Sequence, residues 1–216
     1  MNFIAILGVV AFAIGSIPSG YILGRIQGVD IRKHGSGNVG ATNAGRVLGK
    51  RAGVTVLLLD VFKAMLAASL YRICGNGESS ALVAGAEPAV LGTIALLGHC
   101  YSPFLHFRGG KGVACGLGAF LIAAPTAAAL ATLVFLAFFL LTKIVSLASI
   151  AAAISLPLSL IVGDFLGIQS IPALTQLAAL VSAGVVLFRH QTNIARLRAG
   201  TEPRFQSKRS ASSTES

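Results

Sequence analysis

Charged residues are scarce in this chain of 216 residues, where Asp, Glu, Lys and Arg together make up 11% and hydrophobic residues make up 55%. A typical soluble domain carries about 25% charged residues. The mean hydropathy of +0.82 agrees with this imbalance. The composition therefore excludes an ordinary soluble domain and indicates an integral membrane protein.

Cysteine patterns that would support covalent or metal chemistry are also missing. The three cysteines, Cys74, Cys100 and Cys115, form no CxxC pair and have no metal-ligand spacing with the four histidines. Disulfide, zinc and thiol-nucleophile interpretations therefore have little support. We expect these cysteines to be small apolar packing residues, and we expect no metal.

Motifs of nucleotide binding and of nucleophilic catalysis are absent as well. The chain has no GxxxxGK[ST] segment, and its glycine-rich segments follow no predicted strand, as a Rossmann fingerprint would require. No Ser-His-Asp arrangement or GxSxG motif is apparent. The sequence therefore disfavours both a nucleotide site and a serine nucleophile.

Apolar segments are what the chain has in abundance. A bilayer core about 30 Å thick needs about 20 helical residues to cross it. Pro125 and Lys143 divide the long apolar run after Lys111, because proline breaks or kinks a helix. The pattern predicts an all-α, polytopic integral membrane protein with about seven transmembrane helices, at 3–24, 53–72, 81–99, 112–124, 126–141, 145–162 and 171–189. Five spans with a looser middle remain the alternative.

The first apolar segment could pass for a signal peptide, but it lacks a basic region before its apolar run, so we interpret it as a span. Seven crossings place four loops on one side, namely 25–51, 100–111, 142–144 and 190–216. Of the 17 Lys and Arg, all except Lys63 and Arg72 lie in these loops or, for Arg189, at the end of the span directly before the last loop. The positive-inside rule makes that side cytoplasmic, which predicts an outside N-terminus and a cytoplasmic C-terminus. We expect residues 1–205 to form a single transmembrane domain and residues 206–216 to be a disordered, basic and serine-rich tail.

The first of these loops contains two glycine-rich segments, GSGN and ATNAGR. Glycine permits positive φ and a close approach of backbone N–H groups, which can cradle an anion. Arg46 would add a bidentate positive charge, and further donors come from Ser36, Asn38, Thr42 and Asn43. From this loop alone, phosphate binding and a structured turn are both open.

The second loop repeats this pairing of glycine with cations. Its segment RGGKG places Arg108 and Lys111 around Gly109 and Gly110, directly before a predicted helix. The free N–H groups of a helix N-terminus attract anions. Two such loops on one side favour phosphate binding, because a turn needs no repeated pairing of glycine with Lys or Arg.

Two pairs of polar residues are candidates because of their positions on helices. If a helix continues after the last span, His190 and Asn193 lie at i and i+3 on one face. His190 could instead be an interfacial histidine at a helix end. Asp60 and Lys63 could form an intramembrane ion pair, for which a functional and a purely structural role are equally open.

Four segments, GSIPSGYILG, GSGNVGATNAGR, GHCYSPFLHFRGGKGVA and HQTNIARLRAGTEPR, closely resemble the bacterial acyl-phosphate:glycerol-3-phosphate acyltransferases (PlsY). The resemblance covers nearly the whole chain, and LTKIVSLAS adds a similar stretch with Lys143 and Ser146. It implies transfer of a fatty acyl group from acyl phosphate to the 1-hydroxyl of sn-glycerol 3-phosphate, which yields lysophosphatidic acid and phosphate in phospholipid biosynthesis. It also implies a place in the bacterial cytoplasmic (inner) membrane, with the active site facing the cytoplasm.

The resemblance and the loop chemistry together assign roles to residues. Arg46, Lys111 and His190 are the expected catalytic residues. The expected substrate-binding residues are Ser36, Gly37, Asn38, Thr42, Asn43, Gly109, Gly110, Gly112, Ser146 and Asn193. We expect no cofactor and no nucleic acid. The expected partners are acyl phosphate, glycerol 3-phosphate, membrane lipids and an enzyme that produces acyl phosphate.

Acyl phosphate is already activated, so we expect direct attack by the glycerol hydroxyl without an enzyme nucleophile. Catalysis would come from positioning and from neutralising charge on the departing phosphate, and the HxxxxD motif of the other acyltransferase class is absent. His190 and the leaving phosphate are both open as the proton acceptor. A transporter of organic phosphates has less support because the spans carry few polar residues. A CDP-alcohol transferase would need clustered aspartates, which the sequence lacks.

Overall fold

The computed structural model describes residues 3–75 and 83–205, and within them every regular element is helical. Two short 3-10 turns lie at Ile31–Lys33 and Pro103–Leu105. The helices are α1 (Phe3–Ser16), α2 (Ser19–Ile26), α3 (Ala41–Val47), α4 (Lys50–Cys74), α5 (Glu87–Cys100), α6 (Val113–Ala123), α7 (Pro125–Thr142), α8 (Val145–Phe165), α9 (Ala173–Arg189) and α10 (Gln191–Arg198). The predicted all-α fold is confirmed for the part of the chain that the structure describes.

Five apolar segments of the described chain are long enough to cross a bilayer. They are α1 with α2 as one segment of 24 residues, α5 with the turn after it, α4, α7 and α8. A sixth results if α9 and α10, which meet at a bend of 61°, form one span. The short apolar α6 has 11 residues, and it matches the short helix predicted at 112–124. Each of the seven predicted apolar segments therefore contains a helix.

Prolines and one lysine set several helix boundaries. As predicted, Pro125 and Lys143 divide the long apolar run. The helix α7 begins at Pro125 and ends at Thr142, and Lys143 directly after it has a left-handed φ of 59°. The third span was predicted to begin at residue 81, but α5 begins at Glu87 with Pro88 in its first turn. Proline suits that position because a first-turn N–H has no acceptor within the helix. Another proline, Pro18, separates α1 from α2, a break that the sequence prediction did not include.

The helices approach closely where glycines face a neighbouring backbone. A Cβ atom on Gly118 of α6 would collide with the carbonyl group of Val61 on α4, and one on Gly15 of α1 would collide with that of Ala95 on α5. Inside a membrane, helices associate through van der Waals packing of small residues, because lipid tails are as apolar as the side chains. This close packing makes α1, α4, α5 and α6 a firm support for the loops at their ends.

The four loops predicted to share a side meet at one end of the bundle. Three of them contribute side chains to the same cavity, with Ser36 from the first loop, Lys111 from the second and Asn193 from the last, and Ser146 lines the cavity just after the third loop. That this end faces the cytoplasm stays a prediction. The tail at 206–216, predicted to be disordered, lies outside the described residues.

Candidate active site

The first loop is held in shape by one buried side chain, the amide of Asn43. Its Nδ2 donates hydrogen bonds to the carbonyl oxygens of Ile31, His34 and Asn38 at 3.2, 3.1 and 2.8 Å. Its Oδ1 accepts a bond of 2.8 Å from the N–H of Ser36. These bonds occupy both ends of the amide. The structure thus gives Asn43 the role of positioning the loop, although it also lines the cavity described below.

The loop requires glycine at residue 37, where φ is 71°, because side chains strongly disfavour this left-handed conformation. The residues on either side of Gly37 contribute to the cavity, Ser36 being exposed and Asn38 half-buried. Thr42 and Arg46 on α3 also line it, and both are exposed. The polar donors predicted for this loop therefore lie together.

The second loop is closed onto α5 through the backbone of Gly109 and Gly110. Their N–H groups donate to the carbonyl oxygens of Cys100 at 3.1 Å and His99 at 3.0 Å. Arg189 in turn donates to the carbonyl oxygens of Gly109 at 2.7 Å and Gly110 at 3.0 Å. These two backbone N–H groups are therefore already hydrogen-bonded within the protein. Within RGGKG, the backbone N–H groups that remain candidates for binding phosphate are those of Lys111 and Gly112.

Lys111 carries the positive charge of this loop into the cavity, and its Nζ donates a hydrogen bond of 2.6 Å to Asn193 Oδ1. Burial lowers the pKa of the Lys111 ammonium to about 8; Glu202 raises it, and neighbouring arginines lower it further. A desolvated ammonium beside other cations is stabilised when an anion approaches it. Lys111 is therefore well placed to bind a phosphate group.

Glu202 connects two helices that line the cavity, α8 and α10. Its Oε1 accepts hydrogen bonds from Asn193 Nδ2 at 2.6 Å and Ser146 Oγ at 2.7 Å, and its Oε2 accepts one from Arg196 Nε at 2.6 Å. Burial alone would raise the pKa of the Glu202 carboxyl group, but these hydrogen bonds and the charge of Arg196 lower it below its usual value. The resulting carboxylate fixes α8 and α10 to each other beside Lys111.

His190 is buried at the junction of α9 and α10. Its Nδ1 lies 2.8 Å from the carbonyl oxygen of Val186. A carbonyl oxygen only accepts hydrogen bonds, so we assign the proton of the neutral ring to Nδ1, which leaves Nε2 with a free lone pair. The imidazole lines the cavity together with Asn193 three residues later, as the helical spacing predicted.

Ser36, Lys111, His190 and Glu202 line one cavity of about 910 Å³, whereas Arg189 does not. This volume is within the usual range for small-molecule sites. We call the region around Ser36, Arg46, Lys111, His190 and Glu202 the polar end. Of the predicted site residues, Gly37, Gly109 and Gly110 do not line the cavity, and the structure brings the others together there: Ser36, Asn38, Thr42, Asn43, Arg46, Lys111, Gly112, Ser146, His190 and Asn193.

The rest of the cavity runs between α6, α7, α8 and α9 and is predominantly apolar. We call this part the apolar branch; its lining includes Leu117, Phe120, Ala128, Phe135 and Leu156. Such walls suit a hydrocarbon chain, which is transferred out of water when it enters them. The cavity therefore joins a cationic polar end to a compartment for an apolar group.

Asp60 and Lys63 form the intramembrane ion pair that their spacing indicated. Lys63 Nζ lies 2.7 Å from Asp60 Oδ1, donates to the carbonyl oxygen of Ile17 at 2.7 Å and lies 3.1 Å from His99 Nδ1. Asp60, His99 and Cys115 lie close enough together to hold a metal ion. The Lys63 ammonium already supplies the positive charge beside Asp60, so we interpret the group as an ion pair.

Three site residues were missed by sequence reasoning, namely Arg189, Arg196 and Glu202. All three lie within or directly before the segment HQTNIARLRAGTEPR, which carried part of the family resemblance and so contained a signal. Arg189 and Glu202 have partners far away in the sequence, since Arg189 is 79 residues from Gly110 and Glu202 is 56 residues from Ser146. Their hydrogen bonds are apparent only in the folded structure, in which the loops lie next to each other.

The chain is similar to known acyltransferases over nearly its whole length. Residues 5–200 match the family model of glycerol-3-phosphate acyltransferase. A glycerol-3-phosphate acyltransferase from Geobacter sulfurreducens is 42% identical over 201 residues, which cover 93% of this chain and 97% of the relative. One from Enterococcus faecalis is 40% identical over 206 residues, with 94% and 92% of the two chains covered.

Two crystal structures of PlsY, an integral membrane glycerol 3-phosphate acyltransferase, have the same fold. The glycerol 3-phosphate form has a TM-score of 0.82 at 38% identity, and the lysophosphatidic acid form has a TM-score of 0.80 at 37% identity. Each comparison covers 95% of this chain and 96% of the other.

The fold and the cavity define a polytopic membrane protein whose cationic polar end continues into an apolar branch. The chain belongs to the glycerol-3-phosphate acyltransferase family, a family of phospholipid biosynthesis.

Proposed function

We propose that this acyltransferase takes its acyl group from acyl phosphate and transfers it to the 1-hydroxyl of sn-glycerol 3-phosphate, which yields lysophosphatidic acid and inorganic phosphate. The observation that carries the proposal is the single cavity that joins the polar end to the apolar branch. Both substrates bring a phosphate group to the polar end, and the donor also brings a long chain to the apolar branch. The crystal structures similar to this chain are of a glycerol 3-phosphate form and a lysophosphatidic acid form.

Arg46 and Lys111 supply the charge that stabilises the departing phosphate. The guanidinium of Arg46 can bind two phosphate oxygens at once, whereas the Lys111 ammonium acts as a compact point charge. Donors fixed in place before the reaction stabilise a developing negative charge without reorganising. The two phosphate groups are further held by residues that line the polar end: Ser36, Asn38, Thr42, Gly112, Ser146 and Asn193.

The reaction proceeds without a covalent enzyme intermediate. The oxygen of the glycerol 1-hydroxyl attacks the acyl carbonyl carbon, and the bond from that carbon to the phosphate oxygen breaks. Phosphate departs with the bonding electron pair, and the hydroxyl proton passes to His190 Nε2 or to the leaving phosphate. Among the described residues, no serine or threonine hydroxyl is hydrogen-bonded to a histidine, whereas an activated hydroxyl nucleophile needs an adjacent base. This arrangement supports direct attack.

We place the polar end at the cytoplasmic face of the bacterial inner membrane, with the N-terminus outside and residues 1–205 forming one transmembrane domain. The charge distribution supports this orientation, because Lys and Arg are concentrated in the loops of cytoplasmic segments. Glycerol 3-phosphate and an enzyme that produces acyl phosphate would then reach the protein from the same side.

The donor is tested with purified protein and labelled glycerol 3-phosphate. Palmitoyl phosphate and palmitoyl-CoA are offered in parallel, and labelled lysophosphatidic acid is measured. We expect product with palmitoyl phosphate and no product with palmitoyl-CoA. Product with palmitoyl-CoA alone would overturn the proposed donor, and no product with either would overturn the proposed reaction.

The site is tested with a matched pair of arginine variants. Arg46 lines the cavity, whereas the equally charged Arg51 is exposed and does not line it. We expect Arg46→Gln to lower kcat by about 10²–10³-fold, as removal of one oxyanion-stabilising donor does, and Arg51→Gln to retain the wild-type kcat. Equal losses in the two variants would contradict the assignment.

A further inference from the structure

The apolar branch ends at a floor that four helices build together. Phe120 of α6 and Ala128 of α7 line the branch, and Ala124, at the turn between these helices, does not. On α8, Leu156 lines the branch and Leu160, one turn further, does not. On α9, Ala183 lines the branch and Ala179, one turn further from the polar end, does not. On each of the four helices, the lining of the branch therefore stops before the far end of the helix.

The floor is packed on its far side. Phe120, Ala128 and Leu156 belong to the same hydrophobic core cluster as Ala124 and Leu160. The exposed fraction is 0% for Phe120, 1% for Ala128 and 0% for Leu160. Protein interiors of this kind contain few voids larger than a water molecule. A chain that reaches the floor has no space to extend beyond it.

The depth of the branch corresponds to a membrane-lipid acyl chain. From Ser146 at the polar end to Leu156 at the floor, α8 advances ten residues, or about 15 Å at the helical rise per residue. One leaflet accounts for half of a hydrocarbon core about 30 Å thick, which is also about 15 Å. The branch therefore has about the depth that the chains of one leaflet fill.

We propose that Ala128, together with Phe120 and Leu156, sets the longest acyl chain that the enzyme accepts in full. This inference rests on the proposed use of acyl phosphate and adds a chain-length limit to it. Ala128 is the critical position because its side chain is the smallest of the three. Added atoms at residue 128 would occupy the last part of the branch, where the end of a long chain would otherwise lie.

The test compares Ala128→Leu with wild type, using lauroyl, myristoyl, palmitoyl and stearoyl phosphate as donors. We expect kcat/KM for stearoyl phosphate relative to lauroyl phosphate to fall by about tenfold or more, because added methylenes overpack a filled apolar site. Ala131→Leu, which lies about 4.5 Å nearer the polar end, should shift the optimum to still shorter donors. The matched control is Ala129→Leu, since Ala129 is on the same helix but is exposed and does not line the cavity.

Leu156→Ala provides an independent test in the opposite direction, because removing side-chain atoms leaves space at a packed site. It should raise the relative kcat/KM for eicosanoyl phosphate. Variants are compared only when they elute as wild type on gel filtration and make product from lauroyl phosphate. An unchanged chain-length profile in these folded, active variants would overturn the proposed floor and would leave the proposed reaction standing. A wild-type protein inactive with every acyl phosphate would instead overturn the reaction itself.

Discussion

Lys111 and Asn193 are joined by a hydrogen bond of 2.6 Å that connects the second loop to α10 across 82 positions of the sequence. Asn193 accepts this bond through its amide oxygen and donates through its Nδ2 to Glu202. The lysine that would bind phosphate is thus held in the cavity before substrate arrives. Pre-organised charge of this kind stabilises a transition state without rearrangement.

Replacing Lys111 with methionine removes the charge and retains most of the side-chain volume. We expect Lys111→Met to lower kcat/KM by about 10²–10³-fold, mainly through kcat, because the charge acts on the departing phosphate. The measurement is steady-state kinetics with acyl phosphate and glycerol 3-phosphate. Lys50→Met is the control, since Lys50 is exposed and does not line the cavity. A loss confined to KM would instead assign Lys111 to binding alone.

The activity should fall as the pH rises through about 8. Burial lowers the pKa of Lys111 to about 8 in the free protein, so the ammonium loses its proton, and its attraction for phosphate, above that pH. The profile of kcat/KM against pH in the alkaline range reports this ionisation of the free enzyme. Arginine stays charged throughout this range, so Lys111→Arg should lose the alkaline decline even if its rate is lower. A decline that persists unchanged in Lys111→Arg would assign it to another group.

Removal of one partner of the buried ion pair of Asp60 and Lys63 should destabilise the protein. Lys63→Met leaves the Asp60 carboxylate without its compensating charge, and we expect a loss of about 3–5 kcal/mol in the free energy of unfolding. The measurement is thermal unfolding in detergent. The double variant Asp60→Asn, Lys63→Met has no unpaired charge and should be more stable than Lys63→Met alone. A double variant no more stable than the single one would show that charge compensation is not the cause.

Gly110 should not tolerate a side chain, because a Cβ atom there would collide with the imidazole of His99. Gly110→Ala must therefore displace the loop that carries Lys111, and we expect kcat/KM to fall by about tenfold or more, since small displacements in a site have large effects on rate. Gly184→Ala is the matched control, because no atom lies within 4 Å of a Cβ added at this helical glycine of α9. Retention of activity by Gly110→Ala would contradict the rigid placement of the loop.

The sequence predicted the helices better than the contacts between them. Hydropathy and the positions of Pro125 and Lys143 located the apolar segments, because both depend on residues close together in the chain. The pairing of glycines with Arg46 and Lys111 likewise indicated which loops contact anions. The break at Pro18 escaped prediction because the apolar run continues on both sides of it.

The partners of individual polar side chains could not be predicted from sequence. Asn43 resembled a substrate-binding residue, but its amide is occupied by backbone groups up to 12 residues away. Glu202 was not predicted as a site residue, because its role depends on its contacts with Ser146 of α8 and with Asn193. Such contacts depend on how the helices pack against one another, and no local sequence pattern predicts that packing.

Under the proposed reaction, the two substrates reach each other from different media, because one cavity contains both the polar end and the apolar branch. Glycerol 3-phosphate arrives by diffusion in three dimensions through water, while a lipid-like acyl phosphate moves in the two dimensions of the bilayer plane. At the moment of transfer the acyl chain already lies at the depth of a leaflet. Under the proposed reaction, a water-soluble metabolite thus becomes a membrane lipid without its new hydrocarbon chain crossing an aqueous phase.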